Sequence, residues 1–230
     1  MLVAADFTDN FDDGNLDGWI AIDEDDLGDK GPSQWKVENG ALVQTSNIWG
    51  DATDTVAIGT FLIYDLQEFI SFTLEADITP NDNDGMGIVW RWKDRTNHYR
   101  FMTMLDSGNS PNGLHGPYRV IEKRISDELP FYEVPRLAED TTQAYTEGAT
   151  VHIKLVVEAG KFSVYMDDMN TPVLEGEDPD SAFSPGKIGF TLYAQNNIAI
   201  DNVVVQELLT TAVSPNGKLA TVWGKLKDTR

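Results

Sequence analysis

An acidic turn at residues 81–85, with the sequence Asn-Asp-Asn-Asp-Gly, carries residue types suited to metal chemistry. Proteins bind Ca²⁺ through about six to eight hard oxygens from carboxylates, amides and backbone carbonyls, commonly where glycine permits a sharp turn. Asn81, Asp82 and Asp84 offer such oxygens within one short segment. Asn and Asp also favour turns without any metal, so the pattern predicts either a calcium site or a polar turn. It is not an EF-hand, because the required spacing and distal Glu are missing.

A second set of carboxylates lies near the two ends of the domain. Asp6, Asp9 and Asp12 stand at the start, and Asp201 lies in the last apolar segment. β-Sandwich modules often tie their first and last strands together with an ion. Asp6 or Asp9, with Asp12 and Asp201, therefore form a second expected Ca²⁺ site, and ordinary surface acids are the alternative.

Basic residues concentrate between residues 91 and 124, although the formal net charge of the chain is −21. This window holds seven of the 17 Lys and Arg residues, namely Arg91, Lys93, Arg95, Arg100, Arg119, Lys123 and Arg124. Guanidinium groups bind carboxylates and sulfates through two parallel hydrogen bonds. The window predicts a site for an acidic polysaccharide, with strand residues paired to acidic loops as the alternative.

Strand alternation predicts which of these side chains share a face, because successive strand residues point to opposite sides. If the apolar residues of segments 88–92 and 99–103 face inward, four polar side chains face outward together: Arg91, Lys93, His98 and Arg100. Tyr193 and Gln195 are expected to border this basic face.

Aromatic side chains are a further element of sugar sites, since their flat faces desolvate readily. Trp49 lies in a predicted loop, and Tyr118 follows a long loop at residues 106–117. We expect both residues to contact a glycan, although a single aromatic residue is more often structural.

The sequence contains only weak matches to the residue patterns of known catalytic sites. Glycosidases need two carboxylates at a fixed separation, and Glu75 with Asp77 is the nearest approach to such a pair. A lyase needs an acid–base pair with a neutralising cation, but the adjacent His98 and Tyr99 point to opposite faces of a strand. The sequence has no G-x-S-x-G, H-E-x-x-H or P-loop motif. This favours a protein that is not an enzyme without deciding the question.

The elements that position these residues are predicted to be strands. Apolar and polar residues alternate with a period of two over residues 69–79, 151–158, 161–167 and 187–195, which is typical of half-buried antiparallel strands. Ala159-Gly160 joins two of these segments as a tight hairpin. We therefore predict an all-β, two-sheet antiparallel jelly-roll sandwich over residues 1–206, followed at residues 207–230 by a linker or an extra edge element.

The net charge and hydropathy of the chain exclude some classes of binding partner. The acidic excess argues against nucleic acid and anionic lipid, and no apolar run reaches the roughly 18 residues of a membrane span. The chain has no cysteine, and its first residues lack the pattern of a signal peptide. We expect a monomeric module of a longer exported protein, or else a cytosolic protein.

Three motifs carry a resemblance to known families. Phe11-Asp12-Asp13-Gly14 leads to Trp19, and a Trp-x-Val-x-Asn-Gly-Ala-Leu-Val-Gln segment follows at residues 35–44. The acidic turn then leads into residues 85–101, and a last strand follows at residues 198–205. Residues 6–206 thus resemble concanavalin A-like and laminin-G-like modules of secreted bacterial carbohydrate-active proteins, and the thrombospondin C-terminal lectin-like domain. The resemblance implies Ca²⁺ at Asp82 and Asp84 and a secreted or cell-surface location.

Three functions are compatible with this sequence. The leading hypothesis is a non-catalytic, Ca²⁺-stabilised module that binds a glycan or mediates adhesion. The alternatives are a polysaccharide lyase or glycoside hydrolase acting in the concave groove, and a structural protein-interaction module. The resemblance does not separate them, because one fold hosts all three.

Overall fold

A computed structural model describes residues 6–23, 31–49, 59–108, 112–125 and 134–208. The regular structure of these residues consists of fifteen strands: β1 (Phe7–Asp9), β2 (Trp19–Asp23), β3 (Trp35–Glu38), β4 (Ala41–Gln44), β5 (Thr60–Phe69), β6 (Phe72–Pro80), β7 (Gly85–Asp94), β8 (Asn97–Met104), β9 (Tyr118–Arg124), β10 (Arg136–Asp140), β11 (Val151–Glu158), β12 (Lys161–Met166), β13 (Leu174–Glu177), β14 (Gly186–Tyr193) and β15 (Ile198–Glu207). In this part of the chain no helix is long and apolar enough to cross a membrane. The C-terminal segment that the sequence sets apart lies almost wholly outside the described residues.

The strands form two antiparallel sheets. The eight-stranded sheet has the order β13-β12-β11-β6-β15-β4-β3, with β1 also paired to β15. The seven-stranded sheet has the order β10-β9-β8-β7-β14-β5-β2. The predicted hairpin at Ala159-Gly160 is confirmed, because β11 and β12 pair from Glu158–Lys161 to Ile153–Met166. The first and last strands also meet, with Phe7 opposite Val205.

The main core lies between the sheets and follows the predicted alternation. Every second residue of β6 is buried, from Phe72 to Pro80, and the intervening residues are partly exposed. The same pattern in β11 places Ile153 and Leu155 against the core. Burial of such apolar faces is the main force that holds two sheets together.

The seven-stranded sheet is buried on both faces at its centre. All eight residues from Gly85 to Trp92 are buried, as are the seven from His98 to Met104. Its outer face, which points away from the eight-stranded sheet, carries two further apolar clusters, one around Met102 and Tyr118 and one around Phe61 and Trp92. Outward orientation on this sheet therefore does not mean exposure to solvent.

A bulge at Arg91 corrects one part of the predicted basic face. Arg91 has φ of 50°, and the pairing of β7 with β8 shifts register between Trp90 and Asp94. An extra residue in one strand exchanges the faces of the residues after it. Arg91 consequently turns to the core side, where its guanidinium lies 5.6 Å from the Phe162 ring centroid. Trp92, predicted to face inward, lies on the outer face with His98.

Candidate functional site

Four ionisable side chains meet on the outer face of β8 and β9. Arg100 pairs across the strands with Glu122, and His98 pairs with Arg124. Arg100 Nε donates to Glu122 Oε2 at 2.6 Å, and both side chains are completely buried. His98 is also fully buried, and Arg124 is almost so. We call these four residues the outer-face cluster.

His98 is held as a neutral imidazole within this cluster. Its Nδ1 lies 3.1 Å from the carbonyl oxygen of Asp94, which can only accept, so Nδ1 carries the hydrogen and Nε2 bears the lone pair. The ring stacks on Trp92 with centroids 4.7 Å apart. Burial lowers the pKa of His98 well below 6.5, and the positive charges of Arg100 and Arg124 lower this pKa further. The residue is therefore a fixed hydrogen-bond acceptor at neutral pH.

Several polar atoms of the outer face have no hydrogen-bond partner within the described structure. They are His98 Nε2, Arg100 Nη1 and Nη2, Glu122 Oε1 and Thr191 Oγ1. Buried polar groups are almost always paired, and an unpaired group needs an explanation such as a catalytic role, a ligand or an ordered water. Donors and acceptors side by side form the set that a polyhydroxylated or carbonyl-bearing ligand satisfies.

The prediction of an open basic face is therefore wrong about how these side chains are arranged. His98 and Arg100 point away from the core as predicted, but they are buried and Glu122 balances one charge. Arg91 instead donates to the carbonyls of Ala159 and Ile70. Lys93 is more than a third exposed near the end of β7, where its Nζ lies 2.9 Å from Glu68 Oε1.

Neither Glu122 nor Arg124 was expected beside His98 and Arg100, although Arg124 belongs to the basic window of residues 91–124. Glu122 and Arg124 are two residues apart, so their side chains share a face wherever this segment is extended. That alternation was the available signal. It could not say that this face lies opposite Arg100 and His98, because register depends on pairing between separate strands.

The predicted aromatic contacts lie at one end of the same outer face. Tyr118 and Tyr193 are buried with Met102, Met104 and Val120, and Trp49 packs against this apolar cluster. The Tyr118 hydroxyl is 3.6 Å from the sulfur of Met104. These rings form packed walls rather than an open stacking platform.

The acidic turn is a separate, crowded arrangement between β6 and β7. Burial and the charges of Asp82 and Asp106 raise the pKa of Asp84 to about 6. The Tyr145 hydroxyl is within hydrogen-bonding distance of the backbone carbonyls of Asp82 and Asp84. Gln195, predicted to border the basic face, instead donates to the Asp82 carbonyl at 2.9 Å. This turn therefore gathers several oxygens around one tyrosine hydroxyl.

The other residues predicted as calcium ligands have other neighbours. Asn81 Nδ2 donates to the Asn197 carbonyl at 2.8 Å. Asp9 accepts hydrogen bonds from the Trp19 indole and the Phe11 amide, while Asp12 and Asp201 accept from Asn10 and Asn202. Asp6 is exposed. Within the described ranges, no three His, Cys, Asp or Glu side chains are grouped so that they could hold a metal ion by themselves.

Two antiparallel sheets packed face to face define a jelly-roll β-sandwich. The chain belongs to the family of 3-keto-alpha-glucoside-1,2-lyase-like domains, whose model matches residues 6–206. No curated protein matches the sequence.

Solved structures of low sequence identity share this fold. Carbohydrate-binding module CBM66 from Bacillus subtilis is 18% identical, with a TM-score of 0.59 over 83% of this chain and 96% of that one. A Bacillus subtilis protein of unknown function with a galectin-like fold is 11% identical, with a TM-score of 0.61 over 89% and 98%. The Ca²⁺-bound VIP36 exoplasmic/lumenal domain is 11% identical, with a TM-score of 0.58 over 86% of both chains.

Proposed function

We propose that this protein is a carbohydrate-active lyase whose site is the outer-face cluster. The observation that carries the proposal is the set of unpaired polar atoms on His98, Arg100 and Glu122, which lie buried on one sheet face. The family description supplies the substrate class, a glucoside oxidised to a ketone at C3. The ketone acidifies the hydrogen on the neighbouring C2, so a base can start elimination across C1 and C2.

The cluster residues fit the steps of such an elimination. His98 Nε2 takes the C2 proton, and the electron pair of the C–H bond becomes the C1–C2 double bond. The C1–O bond breaks, and the departing oxygen takes up the proton that His98 removed from C2, which gives an alcohol and returns His98 to its neutral form. The guanidinium of Arg100 stabilises the negative charge that develops on the ketone oxygen. His98, Arg100 and Glu122 are fully buried, so a ligand reaches them only through a change in the packing around them.

Substitution of His98 tests the chemistry with little change in packing. Asn at position 98 keeps a donor for the Asp94 carbonyl and removes the Nε2 lone pair. We expect His98→Asn to lower turnover of a 3-keto-glucoside by about 10²- to 10⁴-fold, with binding retained, as followed by loss of the C2 hydrogen in NMR spectra. His115→Asn, at an exposed loop histidine, is the matched control. Unchanged turnover in His98→Asn would exclude this residue as the base.

A non-catalytic glycan-binding module is the second candidate. Two arginines share the outer face with one glutamate, and this excess of positive charge favours a uronate or a sulfated sugar. The discriminating measurement is binding of neutral and acidic glycans at two salt concentrations. Binding without turnover of any 3-keto-glucoside supports this second function, and equal binding of neutral and acidic glycans removes the acidic preference.

We also propose that Ca²⁺ binds the acidic turn. A divalent cation would relieve the repulsion among Asp82, Asp84 and Asp106, and backbone carbonyls and water would complete its shell. The test is thermal unfolding with Ca²⁺ and with chelator, because a ligand specific for the folded state raises the melting temperature. Asp84→Asn should abolish the rise, whereas Asp201→Asn should leave it if the second expected site holds no ion.

Location and assembly follow from the same proposal. A carbohydrate-active module of this type acts on extracellular glycans, so we propose a secreted or cell-surface protein that is monomeric. Sedimentation of the purified chain tests the assembly state, and fractionation of the cells that produce it tests the location.

A further inference from the structure

A cavity of about 470 Å³ lies between the two sheets at one end of the sandwich. Its walls come from the connection between β8 and β9, the connection between β10 and β11, and the end of β12. This volume falls within the range of about 300–1,000 Å³ typical of small-molecule sites. The residues that matter for its chemistry are Arg119, Gln143, Tyr145, Thr150, Met166 and Asp167.

Arg119 is the charged centre of this end cavity. Its Nη2 donates to the Ala144 carbonyl at 2.6 Å, and its Nη1 lies 3.3 Å from Gln143 Oε1. Nε is buried and has no partner within the described residues. Two hydrogen bonds thus fix the guanidinium in place at the wall of the cavity.

Charges of both signs surround the cavity at Arg119, where two carboxylates lie near one guanidinium. Burial lowers the pKa of Arg119, while the carboxylates of Asp140 and Asp167 act in the opposite direction. An anionic ligand would be repelled by these carboxylates, and a cationic ligand by the guanidinium. A neutral molecule with several hydroxyls avoids both penalties, because each hydroxyl can donate to Asp167 and accept from Arg119.

The rest of the wall suits the carbon face of a sugar. Met166, Val151 and Leu105 supply apolar surface, and the Tyr145 side chain is almost fully buried beside them. Sugar rings present C–H groups on their faces and hydroxyls at their rims, so a site with apolar walls and a few fixed polar groups is complementary.

We propose that the end cavity binds a neutral sugar unit between Arg119 and Asp167. It is separate from the outer-face cluster, because Arg119 alternates with Tyr118 and Val120 and so points to the other side of the seven-stranded sheet. The end cavity and the outer-face cluster are therefore two separate sites. Binding in the cavity does not depend on turnover at the cluster.

Titration of isotopically labelled protein with methyl α-D-glucoside tests the proposal. We expect saturable shifts of the Arg119 Nε–H signal and the Gln143 amide. Ala149→Phe fills the cavity from an exposed position on its rim and should weaken binding at least about tenfold. Thr141→Phe, an exposed change on the same connection that does not line the cavity, is the matched control and should leave binding unchanged.

Two further variants distinguish this site from the outer-face cluster. Asp167→Asn keeps an acceptor for the His152 amide and removes the charge, so it should weaken methyl glucoside binding without unfolding the protein. His98→Asn should have no effect on these shifts. The proposal is overturned if methyl glucoside causes no saturable shift, if Ala149→Phe leaves binding intact, or if glucuronate or glucosamine binds more tightly than the neutral sugar.

Discussion

Arg100 and Glu122 form an ion pair in which Nε and Oε2 are 2.6 Å apart and neither side chain is exposed. Removal of two charges from water is costly, and one ion pair rarely repays that cost in full. The remaining atoms of both groups lack described partners. The pair is thus poorly explained as a stabilising contact and well explained as a site held ready for a ligand.

The first prediction concerns this pair. Glu122→Ala leaves an uncompensated buried guanidinium and should lower the free energy of unfolding by about 3–5 kcal/mol in urea titrations. The double variant Arg100→Met with Glu122→Leu should recover most of that loss. Glu38→Ala breaks the exposed pair with Lys36 and should cost less than about 1 kcal/mol. Equal costs at the two pairs would contradict the argument from burial.

The second prediction concerns Asp84 in the absence of calcium. The pKa of Asp84 is about 6 in the folded protein, above its ordinary value of 3.8, so the folded state binds a proton more tightly than the unfolded state. Stability should therefore rise as pH falls from about 6 towards 4. With chelator present, Asp84→Asn should raise the melting temperature at pH 7 to 8 and have little effect near pH 4. Asp13→Asn, at an exposed turn, is the control.

The third prediction concerns His152 on the outer surface of the eight-stranded sheet. Its Nδ1 lies 2.7 Å from Asp77 Oδ1 and its Nε2 3.1 Å from Glu75 Oε2. Partial burial opposes protonation, but hydrogen bonds to the two carboxylates outweigh it and raise the pKa of His152. The stabilisation is therefore fully present below the unfolded pKa of about 6.5 and is lost as pH rises through the folded value.

Melting curves between pH 5 and 9 check this prediction. His152→Gln should remove the part of the pH dependence that lies above pH 6.5. The matched control is His115→Gln, because the His115 ring contacts the backbone carbonyls of Ser107 and Gly108. A pH profile of His152→Gln that overlays the wild-type profile would show that the two carboxylates do not raise this pKa.

The fourth prediction compares two glycines that share a positive φ. Gly59 has φ of 112°, and a Cβ there would lie 1.9 Å from the Leu192 carbonyl oxygen. Gly148 has φ of 75°, and no atom lies within 4 Å of its Cβ position. Gly148→Ala should cost about 1–2 kcal/mol of unfolding free energy from backbone strain alone. Gly59→Ala should cost more, since β5 must also move away from β14, and similar losses would show that the contact is easily relieved.

The sequence was informative wherever one side of a strand faces the core. The boundaries of β11 were predicted to the residue, and the hairpin into β12 and the inward orientation of Tyr99 and Phe101 were also correct. In these segments the hydrophobic period and the turn residues act locally, so a single stretch of chain contains the information.

The local sequence pattern did not predict the side-chain directions in β7, because an apolar run fits both faces of a sheet. Between Ile88 and Trp92 only Arg91 is polar, and nothing in the sequence marks the bulge at that residue. That bulge depends on pairing with β8 and β14. The expected direction of Arg91 was wrong for this reason, and Lys93 lies near the end of β7 in a pair with Glu68.

By itself the sequence determined an all-β two-sheet sandwich, an acidic turn at residues 81–85 and a polar face on β8. The tertiary structure decided that Glu122 meets Arg100, that Tyr145 lies over the acidic turn, and that Arg119 and Asp167 share a cavity. The physical reason is the range of the interactions. Alternation and turn preference act over a few neighbouring residues, whereas these contacts join strands whose register only the packing of two whole sheets can set.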